Sequence, residues 1–239
     1  MPIKSINGLI LEKMVKNGLN NIRLHEKEIN DMNVFPVADG DTGRNMRLTL
    51  ENGVKSAKSG KHLGEYLKGL SEGMLFGARG NSGVILSQLF KGFYNELARD
   101  GIVNPYELRD ALIAGYRNAY KAVLRPVEGT ILTVAREAIE NVKTQVYRGS
   151  SIEDVLSLYL TEARESLKRT PDLLGVLKEA GVVDSGAFGY IVIVEGMLKA
   201  LYGEMIEAEG EPLPAATETK VGYFDENSPF TLGYCMELQ

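Results

Sequence analysis

The chain has 239 residues, enough for one large domain or two small ones, and its 44% apolar residues support a sizeable core. A formal net charge of −5 argues against nucleic acid or an anionic membrane surface as the main partner. One cysteine, Cys235, leaves no internal disulfide and fits a reducing, cytoplasmic setting. The opening residues lack the apolar core of a signal peptide, and no apolar run is long enough to span a bilayer.

The dominant period is helical. Leu11, Met14, Val15, Leu19 and Ile22 recur at three- and four-residue steps and predict a first amphipathic helix. Residues 30–43, with proline, glycines and aspartates, read as an ordered loop. Helices follow over about 43–57, 63–76 and 81–97. Asn104-Pro105 predicts the next helix start, because asparagine caps free N–H groups and proline costs nothing at the first helical position. Another helix starts near Thr130. Ser151-Ile-Glu-Asp154 has the form of a capping box and opens a helix over 155–167. Thr170-Pro171 repeats the cap-plus-proline pattern before a short helix ending near Gly181, and Asp184-Ser185 caps a last helix reaching about 203. Residues 204–220, acidic and with two prolines, read as a linker. Residues 221–224 and 231–239 read as strands. The second stops without a partner, so the natural chain is expected to continue or a partner to complete the sheet. The expected architecture is all-α over 1–203, with a short extended tail.

Four polar, glycine-bearing loops precede helices, where catalytic groups tend to be held by rigid elements. The first is Asn33-Val-Phe-Pro-Val-Ala-Asp-Gly-Asp-Thr-Gly-Arg-Asn45. Asp39 and Asp41, separated by Gly40, repel one another unless a cation or donor sits between them, and hard carboxylate oxygens suit Mg2+. The following helix start favours an anion such as phosphate. In isolation, a simple Asp-Gly-Asp turn would read the same. The second, Phe76-Gly-Ala-Arg-Gly-Asn-Ser-Gly83, is a phosphate-cradling candidate that is neither a Walker A nor a Rossmann sequence; a plain inter-helix turn is the bland alternative. The third, Arg125-Pro-Val-Glu-Gly-Thr-Ile-Leu-Thr133, could offer Arg125 to phosphate and Glu128 to a metal, or only solvated charges. The fourth, Gly181-Val-Val-Asp-Ser-Gly-Ala-Phe-Gly189, has the small residues of close ligand approach or of close helix packing. Up-and-down helices would gather such loops at one end. His25 and His62 lie outside all four, in polar surroundings.

As a set, these loops resemble the nucleotide-binding subunit of the dihydroxyacetone kinases, the DhaL family, and within it the N-terminal domain of the bacterial fatty acid kinase ATP-binding subunit. The resemblance covers about residues 1–203 and rests on Asn33-Val-Phe-Pro-Val…Asp-Gly-Asp-Thr-Gly…Asn45-Met46, Gly77-Ala-Arg-Gly-Asn-Ser-Gly and Val182-Val-Asp-Ser-Gly. It implies an up-and-down barrel of eight helices that binds ATP through Mg2+ at one end. It further implies that Asp39 and Asp41 are the catalytic metal ligands, with Asn33 a third. Thr42, Gly43 and Asn45, Gly80, Asn81, Ser82 and Gly83, and Gly129, Thr130, Asp184 and Ser185 would contact or border the nucleotide. Ala38, Arg44 and Phe188 depart from the family pattern.

The tail Leu232-Gly-Tyr-Cys235 is similar to the start of the next domain of the fatty acid kinase subunit, so 221–239 is expected to open a truncated following domain. The implied reaction is transfer of the γ-phosphoryl of ATP to a fatty acid carboxylate presented by a separate fatty-acid-binding protein; a homodimer would form through the missing C-terminal domains. A glycerone-type kinase with a hydroxyl acceptor, a non-catalytic nucleotide sensor and a phosphatase are the rival expectations.

Overall fold

A computed structural model of the chain describes residues 2–98 and 101–207. The strands expected over 221–224 and 231–239, and Cys235, lie outside the described residues. Within them the helices are α1 (Gly8–Asp31), α2 (Thr42–Ser56), α3 (Leu63–Phe76), α4 (Gly80–Leu97), α5 (Pro105–Ala122), α6 (Ile131–Val142), α7 (Ile152–Leu173), α8 (Gly175–Ala180) and α9 (Ser185–Leu201). All but the six-residue α8 form a ring in which each helix packs on the next and α9 closes on α1. This is the all-α, up-and-down eight-helix barrel, with α8 riding on α7.

Local sequence accounts for most of the boundaries. Asn104 and Glu107 form a capping box ahead of Pro105, Ser151 and Asp154 form another at α7, and Asp184 caps α9 through Ala187 N. The apolar stripe of α1 turns inward: Leu11, Met14, Val15, Leu19 and Ile22 are all buried, each contributing about 1.5–3 kcal/mol of transfer free energy. Helices α1 and α9 meet glycine on glycine: a Cβ on Gly196 would lie 2.7 Å from the Gly18 Cα. Asn17 and Asn21 donate across that seam to the Gly196 and Val192 carbonyls at 2.7 and 2.6 Å.

Alternation of direction puts the starts of α1, α3, α5 and α7 at one end. The segment before α1 laces that end together. Ile6 exchanges two backbone hydrogen bonds with Val103 (2.9 and 2.7 Å), Gly8 N donates to the Lys61 carbonyl, and the Ile3 carbonyl accepts from Ile152 N. Glu153 takes Ile3 N with both carboxylate oxygens at 3.0 Å.

Two expectations change. Thr170-Pro171 does not start a helix; both residues lie within α7, which ends at Leu173. Proline has no N–H to give the Leu167 carbonyl, and the Thr170 hydroxyl supplies that bond instead, at 2.7 Å. The linker expected from Glu204 begins fastened: Asn17 bonds Glu204 O and Ile206 N, and Asn20 bonds Ile206 O.

Candidate functional site

The starts of α2, α4, α6 and α9, and therefore all four glycine-bearing loops, share the other end of the barrel. Hydrogen bonds join them. Arg79 N donates to Thr49 Oγ1 of α2 at 3.1 Å, the Ser185 hydroxyl donates to the Thr42 hydroxyl at 3.3 Å, and the Asp184 carboxylate accepts from Ile131 N of α6. Each loop carries one glycine in the left-handed region: Gly40, Gly80, Gly129 and Gly181.

In the first loop, Asp39 and Gly40 are exposed and Asp41 is half-buried. Partial desolvation and, next, the adjacent charge of Asp41 push the Asp39 carboxyl above its ordinary pKa. The loop is held by Asn33, its own first residue, and by Asn30 in the last turn of α1. Asn33 Oδ1 accepts from Asp41 N (3.3 Å), Thr42 N (3.2 Å) and the Thr42 hydroxyl (2.7 Å), while Asn33 Nδ2 donates to Val37 O. Asn33, expected as a third metal ligand, thus spends its oxygen on three donors and clasps the loop. Asn30 Oδ1 takes Gly43 N (2.8 Å) and Arg44 N (3.3 Å). The amides that open α2 are therefore occupied by protein, and this helix start is not the open phosphate site expected of it. Helix α1 also meets α2 through ion pairs, Glu51 being ringed by Arg23, Arg47 and Lys55, with Arg47 bonded to Glu26 as well.

The second loop differs. The N-cap residue of α4, Arg79, makes no side-chain bond to its own helix, and Gly80 and Asn81 are exposed with Ser82 half-buried. Gly80 has φ 58° and packs against Asn45, where a Cβ would stand 2.5 Å from Asn45 Nδ2. Gly83 packs on Thr49, which is why loop and α2 approach so closely. A helix start approached through a glycine suits an anion.

The third and fourth loops form the floor. Gly129, Thr130, Asp184 and Ser185 are all buried. The Thr130 hydroxyl donates to Val127 O at 2.8 Å. Glu128 accepts from Thr133 Oγ1, Arg136 and Tyr120; burial works against its charge, but these bonds outweigh it and hold the carboxyl below its usual range. Glu128 is thus a loop anchor, and Arg125 is exposed. Asp184 accepts from Ala187 N at 2.8 Å as well as from Ile131 N, joining the starts of α9 and α6, and burial pushes its pKa up to about 6.

The site residues therefore divide. Asp39, Gly40, Asp41, Asn45, Gly80, Asn81 and Ser82 reach the surface of this end, whereas Asn33, Thr42, Gly43, Gly83, Gly129, Thr130, Asp184 and Ser185 build the frame beneath them. Sequence reasoning missed Asn30, Thr49, Thr133 and Thr170. Each bonds an amide in or beside a site loop from a helix interior or helix end, and although Thr133 closes the third motif and Thr170 carries a cap signature, no spacing shows which amide a side chain will meet. His25 lies on α1, bonded to the Asn21 carbonyl, and His62 precedes α3 at the far end.

A helical barrel with an acidic turn and a glycine-led helix start at one end defines the class of protein. Residues 36–199 match the DAK2 domain, and the chain belongs to that family. Two uncharacterized proteins of Staphylococcus aureus, from strains bovine RF122 / ET3-1 and USA300, are 46% and 45% identical to it over 212 residues. These matches take in 87% of this chain and 38% of each relative, so the chain spans well under half the length of those proteins. The fold is similar to that of a dihydroxyacetone kinase from C. freundii solved with AMP-PNP and Mg2+. The TM-score is 0.58 at 15% identity, over 83% of this chain and 35% of that one. The native form of the same kinase gives 0.56. Among the described residues no helix is long and apolar enough to cross a membrane.

Proposed function

We propose that the chain is the ATP-binding domain of a fatty acid kinase. It would transfer the γ-phosphoryl of ATP to a fatty acid carboxylate presented by a lipid-binding partner protein, giving an acyl phosphate. The observation that carries the reading is the Asp39-Gly40-Asp41 carboxylate pair at the surface of the same barrel end as the glycine-led start of α4. Among the described residues no three His, Cys, Asp or Glu side chains cluster to hold a metal alone, so phosphate oxygens would complete the coordination of a cation on this pair. Asp39 and Asp41 would hold Mg2+ there, and its chemistry would be to offset charge that develops during transfer.

The chain's own groups then have distinct tasks. Asp39 and Asp41 hold the cation. Gly80, Asn81 and Ser82 face the phosphates, and the buried Thr130, Asp184 and Ser185 keep the loop bases fixed. A carboxylate acceptor is compatible with the composition of the four loops. The chain has two histidines, and neither is on the four loops. A fatty acid carboxylate, with a pKa near about 4, is already ionised at neutral pH and needs no general base, unlike a hydroxyl.

The test is acyl phosphate formation, trapped as hydroxamate, with ATP, Mg2+ and a lipid-loaded fatty-acid-binding protein, run beside dihydroxyacetone as acceptor. The full-length protein is assayed in parallel. Acyl phosphate with the lipid-loaded partner supports the reading. Phosphorylation of dihydroxyacetone alone replaces it with the hydroxyl kinase, and Mg-ATP binding without turnover on either acceptor replaces it with a nucleotide sensor.

A further inference from the structure

An aspartate at a helix N-cap ordinarily turns its carboxylate back onto the amides of the second and third helical residues. For α2 the N-cap is Asp41, and those amides belong to Gly43 and Arg44. Asp41 makes no such bond. Its backbone, at φ −122° and ψ 2°, lies away from the extended conformation of the capping residues Asn7, Asn104 and Ser151, each of which does bond its own helix. The two amides are taken instead by Asn30 Oδ1, from the last turn of the neighbouring helix. The preceding pair, Asp41 N and Thr42 N, is taken by Asn33. Gly43 makes the arrangement possible, because a Cβ there would stand 2.6 Å from the Glu26 carbonyl and 3.1 Å from Asn30 Oδ1.

We infer that Asn30 is a positioning residue: it caps α2 from α1 and so releases the Asp41 carboxylate for the cation. The inference rests on the metal–nucleotide reading of the acidic loop. Without Asn30, two amides at a helix start would be open beside Asp41, and its carboxylate would fold back onto them. Cation binding would then have to break that cap.

The test is Mg2+ titration of ATP binding, by calorimetry, in the wild type, Asn30→Ala and Asn30→Asp, each also measured in chelator. In Asn30→Ala the Mg2+ concentration at half-maximal binding should rise about fivefold, which corresponds to about 1 kcal/mol. Binding in chelator should stay unchanged. Asn30→Asp keeps an acceptor oxygen and should return the midpoint towards wild type. In an Asp41→Asn background, Asn30→Ala should add nothing, because the carboxylate it releases is gone. Asn30→Gln displaces the amide by one methylene; it should move the midpoint in the same direction if the alanine variant folds poorly. An unchanged midpoint in Asn30→Ala and Asn30→Gln overturns the inference, as does an equal loss of binding with and without Mg2+. Wild-type ATP binding that ignores Mg2+ removes the metal-site reading itself, and this inference with it, before any variant is compared.

Discussion

Asp184 offers a test of how the site end is held together. Its carboxylate is buried, faces no cation among the described residues, and joins α6 to α9 by accepting from Ile131 N and Ala187 N. Burial raises its pKa from 3.8 to about 6. A carboxyl that holds its proton more tightly when folded contributes stability that is complete below the unfolded value and is lost as pH rises through the folded one. The shift of about two units is worth about 3 kcal/mol, at about 1.36 kcal/mol per unit. Asp184→Asn cannot titrate. It removes the buried charge but puts an NH2 group where one buried carboxylate oxygen stood, which returns a cost of about 1–3 kcal/mol. At neutral pH the variant and the wild type should therefore lie close together. As pH falls from about 6 to 4, the wild type should gain on the variant by about 2 kcal/mol. Urea denaturation of both proteins at half-unit steps from pH 4 to 8 measures this difference and cancels the carboxylates they share. A gap that is flat across that range would falsify the account of a buried, unpaired carboxylate.

Asp39→Ala and Asp41→Ala should each weaken Mg2+-dependent ATP binding at least tenfold while far-ultraviolet circular dichroism stays that of the wild type; full-strength binding in both would sink the metal site. Thr170→Val removes the hydroxyl that serves the Leu167 carbonyl and accepts from Asp184 N, at 2.7 and 3.1 Å. It should cost about 2–4 kcal/mol by leaving two buried backbone groups unpaired, read as a fall in urea midpoint at constant m-value. Gly80→Ala, at φ 58° with Asn45 Nδ2 2.5 Å from the new Cβ, should lose about 1–2 kcal/mol of stability and weaken ATP binding; calorimetry of the folded variant checks the second effect.

The sequence announced its helices where chemistry is local. Asn104-Pro105 and Ser151 to Asp154 write a cap into a few consecutive residues, and the structure places helix starts there. Periodicity found the buried stripe of α1 for the same reason. Thr170-Pro171 misled because it carries that same local signature. What extends α7 through it is a side-chain hydroxyl taking over a carbonyl, which has no period and no fixed spacing. At the candidate site, glycine and aspartate spacing marked the four loops and alternation of helices brought them to one end. Which of their residues face outward and which lie beneath was not legible. Thr42, Asp184 and Ser185 are polar in sequence, yet their burial depends on neighbours contributed by α1, α6 and α7. The Asn30 and Asn33 clasps pair residues across two helices, and one asparagine near a helix end looks like any other.

The lacing of the far end has a consequence for how the molecule is made. Ile3 and Ile6 find their partners at Ile152 and Val103, so the earliest of these residues to leave the ribosome must wait while about 150 more are added. Until then the ring is open, and the α1 face that will meet Gly196 is bare. Contacts so distant in sequence are slow to form, because the intervening chain must be ordered before they repay its entropy. Assembly therefore ends with two late closures, the lacing and the α1–α9 seam. Variants that weaken either should slow the yield of native protein during synthesis more than they lower the stability of the finished fold.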